Sequence, residues 1–322
     1  MHFFLYALLL ISIPTHLESN RNAEWGFHAH KKINEIAIFS LPPEMIGFYK
    51  HHMRTIIERS VNPDKRRYIN ENEGPRHFID LDAYGSDPLA HLPKQWQQAI
   101  EQYGDSTLTE HGIVPWHIVR IKYYLTQAFL NQDVDQILKI SADLGHYVGD
   151  AHVPLHTTSN YNGQKTNQRG IHGFWESRLP ELFDQEYNLF VGKAEYIKNV
   201  TEAAWNAVAQ AYLALDSVLI FEAQMTQEFA PTKKYSFEVR GSQTVKVYSY
   251  EFAKAYHQRL SGMVERKMWA SIKLIADLWF TCWVDGGQPT LNELIFEDNK
   301  IKKNEVDTLW EKDGIHGRNE WD

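Results

Sequence analysis

The stretch SADLGHYVGDAHVPLH, residues 141–156, decides the reading of this chain. Its first part continues a helical pattern that opens near residue 133, and Val153-Pro154 ends it. On that helix His146 and Asp150 stand four apart and so share a face. An imidazole and a carboxylate offered together from a rigid helix are natural zinc ligands. His156 falls beyond the proline, where the chain has left the helix and can turn its ring back. Further on, His172 and Glu176 repeat the spacing of four. A single pair of this kind is most often a hydrogen-bonded surface feature. Two pairs and a displaced histidine within 31 residues suggest a metal site, but spacing alone names no reaction.

Outward from this stretch, helix patterns dominate. Residues 28–40 carry Ile33, Ile36, Ala37 and Leu41 as an apolar stripe. Pro42-Pro43 stops that helix and can open the next, residues 44–60. Asn62-Pro63-Asp64 breaks the second helix, and residues 65–84 show no sustained periodicity. They read as a long ordered loop carrying Arg76-His77-Phe78-Ile79-Asp80, and such loops in compact domains are usually functional. A short helix at 94–103 precedes two strong ones, 115–131 and 133–151. Asn160-Tyr161-Asn162-Gly163 is turn chemistry, and another helix opens near His172. Residues 193–229 form a long helical region, and 250–262 and 263–284 two more. Between them, 235–239 and 245–248 alternate around Gly241-Ser242-Gln243, the pattern of a small β-hairpin. The prediction is one all-α domain over 25–289 with that hairpin, followed by a polar tail, 290–322.

The chain has 322 residues, enough for a sizeable core. Its formal net charge of −8 argues against a surface for duplex nucleic acid. A pocket for one phosphodiester is not excluded, because bound cations would supply local positive charge. The one cysteine, Cys282, allows no internal disulfide and sits in an apolar run, where a buried, inert thiol is expected. Residues 3–13 are apolar and of the length of a signal core, so 1–24 read as signal peptide and leader. Export to the periplasm or the exterior is expected, and no other segment reads as a membrane span.

The segments GHYVGDAHVPLH and IHGFWES resemble the superfamily that joins zinc-dependent phospholipases C and the single-strand-specific zinc nucleases of fungal type. That pattern is His-x-x-x-Asp-x-x-x-x-x-His followed by His-x-x-x-Asp/Glu, matched by His146, Asp150, His156, His172 and Glu176. The family also opens its mature chain with Trp and a nearby His, as in Trp25-Gly26-Phe27-His28-Ala29-His30, where the spacing selects His30. An Asp and a later His in a His-aromatic-x-Asp motif correspond to Asp64 and His77. The matched positions run in order from 25 to 176, and the C-terminal half adds only helices of the expected kind.

The resemblance implies an all-α phospholipase C/nuclease fold and three zinc ions. Asp64, His77, His146 and Asp150 would hold one, and His156, His172 and Glu176 a second. The third would take the amino nitrogen and carbonyl of Trp25, His30 and a bridging Asp150, which requires cleavage just before Trp25. The implied reaction is hydrolysis of a phosphodiester by a metal-activated water, with Asp64 orienting that water or accepting its proton. No protein nucleophile is called for. The substrate would be a phospholipid or a single-stranded nucleic acid. Phe78 and Asp80 match residues that stack on and bind a base in the nuclease branch. Glu176 in place of Asp, and the loop 160–170, resemble the phospholipase branch, which is the reading preferred. A nuclease/3'-nucleotidase is the alternative, and a non-catalytic secreted zinc-binding protein a distant one. The nucleases usually carry disulfides, and this chain departs from them there. Lys65-Arg66-Arg67 reads as a solvated face first and a phosphate-steering patch second. His152 falls off the ligand face. His51-His52, His91, His111, His117 and His257 lack partners at ligand spacing. Asn199-Val200-Thr201 lies in a helical pattern and carries little as a glycosylation signal.

Overall fold

The computed structural model describes residues 27–240 and 243–295. The described chain is helical apart from one two-stranded hairpin. The first helices are α1 (Phe27–Ile38), α2 (Pro43–His51), α3 (Met53–Arg59) and α4 (Asn62–Arg66). Short helices α5 (Pro88–His91), α6 (Trp96–Tyr103) and α7 (Asp105–Glu110) precede the long pair α8 (Val114–Leu130) and α9 (Val134–Asp150). Then come α10 (Ile171–Gly173), a π-helical turn (Phe174–Arg178) and α11 (Leu179–Phe183). The long α12 (Val200–Glu228) and short α13 (Pro231–Lys234) lead to the hairpin of β1 (Tyr235–Arg240) and β2 (Gln243–Tyr248). Helices α14 (Tyr250–Arg259) and α15 (Met263–Asp285) close the fold.

Helix α9 is the hub, packed against α1, α3, α4, α8 and α15. Every residue from Ser141 to Asp150 is buried, so this helix is enclosed on all sides near its C-terminal end. Asp133 caps its start, accepting from the Gln136 amide. Ser141 fastens it to two neighbours. Its hydroxyl meets the Tyr49 hydroxyl at 2.9 Å, and its carbonyl accepts the Trp279 indole N–H at 3.0 Å. One hydrophobic core runs through α1, α2, α8, α9, α12, α14 and α15.

Several boundaries differ from the sequence reading, each for a local reason. The helix expected over 44–60 is two helices, broken at His52, whose backbone leaves the helical region. Asn62-Pro63-Asp64 starts a short helix instead of only breaking one, since proline suits a first turn. The region expected to be helical from 193 begins at Val200. Asn199 caps it by accepting from the Glu202 amide, so the preceding residues stay outside the helix. Within the loop 65–84, two 3₁₀ turns form at Gly74–Arg76 and Leu81–Tyr84. Leu291 and Leu294 are buried beside α2, so packing continues a little past the expected boundary at 289. Helix α12 is, against the sequence reading, long and apolar enough to cross a membrane. It nevertheless buries Trp205, Val208, Leu215 and Val218 in the core, and its Glu222 carboxylate is buried on Lys234.

Candidate metal centre

Eight residues with metal-ligating side chains converge in the interior from seven places in the fold. His30 comes from α1, Asp64 from α4, His77 from just after the 3₁₀ turn Gly74–Arg76, and His146 and Asp150 from α9. His156 sits in the 3₁₀ turn Pro154–Thr157, His172 on α10 and Glu176 on the π-helical turn. All eight are buried. They form overlapping sets able to hold a metal ion: His30, Asp64 and His146; His77, His146 and Asp150; His156, His172 and Glu176; His30, Asp150 and Glu176. Trp25 lies outside the described residues.

The backbone fixes which nitrogen each ring turns inward. The Nδ1–H of His146 donates to the Ser60 carbonyl at 2.9 Å. That of His156 donates to the His77 carbonyl at 2.6 Å, and that of His172 to the Tyr161 carbonyl at 3.3 Å. A carbonyl can only accept, so each Nδ1 carries a proton, and in the neutral ring the Nε2 lone pair faces the cluster. The consequence is a test of fit. In their neutral forms His156 Nε2 and His172 Nε2, 3.1 Å apart, face each other as two acceptors, an arrangement that a cation between the lone pairs resolves. The donor set of imidazole and carboxylate suits zinc.

The two central carboxylates each face two ways. Asp150 Oδ2 lies 3.0 Å from His77 Nδ1 and 3.2 Å from His146 Nε2, while its Oδ1 lies 3.4 Å from His30 Nε2. Glu176 Oε2 lies 2.7 Å from His172 Nε2 and 3.2 Å from His156 Nε2, and its Oε1 lies 3.3 Å from His30 Nε2. Asp150 thus lies between His30 on one side and His77 and His146 on the other, and Glu176 also reaches His30. Burial alone would raise both carboxyls, but the surrounding histidines in their protonated form outweigh it and hold both well below the usual carboxylate range. Asp64 Oδ1 stands 3.6 Å from His146 Nε2 and 3.7 Å from His77 Nδ1, with the Arg67 guanidinium at 3.8 Å.

Behind His77 lies a buried ionic network that the sequence reading missed. Its other ring nitrogen, Nε2, makes no hydrogen bond and lies 3.8 Å from Glu73 Oε1. Glu73 is fully buried. It accepts from Arg76 at 2.7 Å, from Arg66 at 3.3 Å and from the Tyr147 hydroxyl. Arg66 also donates to Asp143 at 3.1 Å and to Tyr147 at 3.2 Å. Burial works against the Glu73 charge, but Arg66, His77 and Arg76 overcome it and bring its pKa from 4.5 to about 2. The signal was present as Glu73-x-x-x-His77, the spacing that flagged the other pairs, but in a stretch without helical periodicity. Arg66 is therefore a structural cation and not part of a solvated face.

Other expected features fall as follows. Phe78 and Asp80 flank the cluster through the chain, Ile79 donating its amide to the His156 carbonyl at 2.9 Å. Only 5% of Phe78 and 7% of Asp80 is exposed, so stacking of a base on Phe78 requires the neighbouring chain to move. His152 turns away from the ligands, with its Nδ1–H donating to the Val148 carbonyl at 2.8 Å. Burial lowers its pKa to about 4. Cys282 is fully buried, and burial pushes its thiol up to about 12.

No family profile matches the chain, and no curated protein matches it. Among solved structures, the fold is similar to that of "Alpha Toxin from Clostridium Absonum". The TM-score is 0.47 and the identity 11%, covering 89% of this chain and 68% of that one.

Proposed function

We propose that the protein is a zinc-dependent hydrolase of phosphodiester bonds, phospholipase C-like, exported and matured so that Trp25 becomes its first residue. The observation that carries this reading is the convergence of eight buried imidazole and carboxylate side chains, with Nδ1 of His146, His156 and His172 each turned to a carbonyl. Zinc in such a site supplies Lewis acidity, lowering the pKa of a water and neutralising charge on phosphoryl oxygens.

The chain's own residues do the rest. His77, His146, Asp64 and Asp150 would hold one ion, and His156, His172 and Glu176 another. His30 and Asp150 with the Trp25 terminus would hold the third. The carbonyls of Ser60, His77 and Tyr161 keep three of the rings in the ligating tautomer, so little reorganisation is needed on loading. Asp64 would orient the attacking water and accept its proton, with the Arg67 guanidinium 3.8 Å from its carboxylate.

The test is purified protein assayed on phosphatidylcholine, single-stranded DNA and RNA, with and without chelator, alongside metal analysis. Chelator-sensitive release of the phosphorylated headgroup and about three zinc ions per chain are expected. A preparation that holds zinc but hydrolyses none of the three substrates would return the protein to the non-catalytic zinc-binding class. Asp64→Asn should lower turnover by about a hundredfold or more while the helical circular dichroism stays unchanged. Retained turnover would remove the role given to Asp64.

A further inference from the structure

The hairpin leaves apolar side chains on its outward face as well as its inner one. Successive residues of a strand point to opposite faces, and an antiparallel ribbon on a protein body normally turns its apolar face inward. Here the register pairs Phe237 with Lys246 and Val239 with Thr244, and all four side chains are exposed. Phe237 is 72% and Val239 78% exposed. The opposite face carries Ser236 and Glu238 beside Val245 and Val247, and these are half-buried. Its Glu238 receives two hydrogen bonds from the Arg178 guanidinium. A one-residue slip would bury Phe237 and Val239, so the ion pair with Arg178 holds the register that exposes them.

The same face carries one cation, Lys246. Lys246 is exposed, with its ammonium 3.9 Å from the centre of the Tyr235 ring, and Lys233 is exposed just before β1. This is a local reversal of a chain whose net charge is −8. We infer that the outward face of the hairpin, Phe237, Val239 and Lys246, docks on a lipid bilayer that carries anionic headgroups. Two apolar side chains inserted among headgroups and lysines at the phosphate level form an interfacial anchor of the usual kind. A second copy of the chain is the weaker occupant. A stable protein interface buries about 800 Å² per partner, far more than these side chains offer.

The hairpin is tied to the metal centre. Arg178 ends the π-helical turn that carries Glu176, and Tyr248 stacks on Phe174 of that turn at 3.8 Å. Docking therefore places the lipid on the far side of the ribbon whose inner face is bonded to the segment that bears a metal ligand. This inference deepens the phospholipase C-like reading and rests on it for the use of the surface, though lipid binding can be measured by itself.

The experiment is co-sedimentation of the full metal-loaded chain with vesicles of equal parts phosphatidylcholine and phosphatidylglycerol. The double variant Phe237→Ser/Val239→Ser should partition about tenfold or more weakly. Lys246→Ala should weaken binding to these vesicles and not to pure phosphatidylcholine. Turnover of a water-soluble phosphodiester should be the same in the double variant as in wild type. Wild-type protein that stays in solution, or a double variant that binds as well, overturns the inference. So does a wild-type dimer in sedimentation velocity that the double variant abolishes, which assigns the face to a second copy. Absence of soluble phosphodiester turnover in wild type strikes the hydrolase reading alone, and the vesicle result still judges the surface.

Discussion

At the residue scale, the most informative side chain outside the ligand set is Glu73. For His77 Nδ1 to offer a lone pair to a metal, the ring proton must sit on Nε2, which faces the Glu73 carboxylate at 3.8 Å. The negative charge there favours that tautomer and raises the donor strength of Nδ1. Glu73→Gln removes the charge while keeping the shape. It leaves Arg66 and Arg76 short of a partner, and breaking a buried ionic network costs about 3–5 kcal/mol. The variant should therefore show a lower urea midpoint and a faster loss of zinc to a chelator. The pH dependence has a definite sign. Because the folded pKa of Glu73 is depressed from 4.5 to about 2, its contribution is fully present above pH 4.5. It is lost as the pH falls through that interval towards 2. Urea titrations of the metal-free proteins should show the wild type losing stability across this window and Glu73→Gln losing less. Parallel acid limbs would show that the network does not hold the Glu73 charge.

At the element scale, the centre depends on how closely α1 approaches α9. Gly145 and Gly149 immediately precede His146 and Asp150 and present a bare strip to α1. A Cβ at 145 would lie 1.9 Å from Asn34 Oδ1, and one at 149 would lie 2.8 Å from the tip of Ile33 and 3.0 Å from His30 Nδ1. Alanine gains up to about 1 kcal/mol over glycine in a helix, whereas overpacking costs about 1–3 kcal/mol. Gly145→Ala should thus be destabilising, since Asn34 is fully buried and anchored to the His30 carbonyl. At Gly149 the tip of Ile33 can yield more easily, and the loss falls on His30. Gly149→Ala should keep most of its thermal stability but retain less zinc after dialysis. Equal zinc in both variants would detach His30 from metal binding. These glycines mark what the sequence made legible. The two His-x-x-x-acid pairs could be read because a regular helix, or a π turn that keeps the first turn intact, turns spacing into a shared face. The closeness of α1 and the role of Glu73 depend on tertiary contacts that no local period encodes. The break at His52 likewise lies inside an otherwise helical pattern, and only the backbone shows it.

At the scale of the molecule, the ligands come from α1, α4, α9 and the turns that follow, over residues 30–176. A cation that engages them cross-links elements far apart in sequence, and the unfolded chain offers no such assembly. Binding is therefore linked to folding, and loaded protein is stabilised in proportion to the logarithm of metal excess. The helices α12, α14 and α15 contribute no side chain to these sets and bury their own apolar faces in the core. The fold thus has a source of stability independent of metal, unlike a small zinc domain that unfolds without its ion. At a hundredfold excess over the dissociation constant one site adds about 2.7 kcal/mol, and a domain of this size shifts by roughly 2–4 °C per kcal/mol. Chelation should then lower the melting temperature by about 5–10 °C for each ion lost while leaving the far-ultraviolet circular dichroism at 25 °C unchanged. Restoring zinc should restore the transition, and magnesium, which prefers oxygen ligands, should not. An unchanged melting temperature after complete metal removal would mean that the eight residues do not hold a metal in the folded protein. Loss of the helical signal at 25 °C would instead mean that the core cannot stand without it.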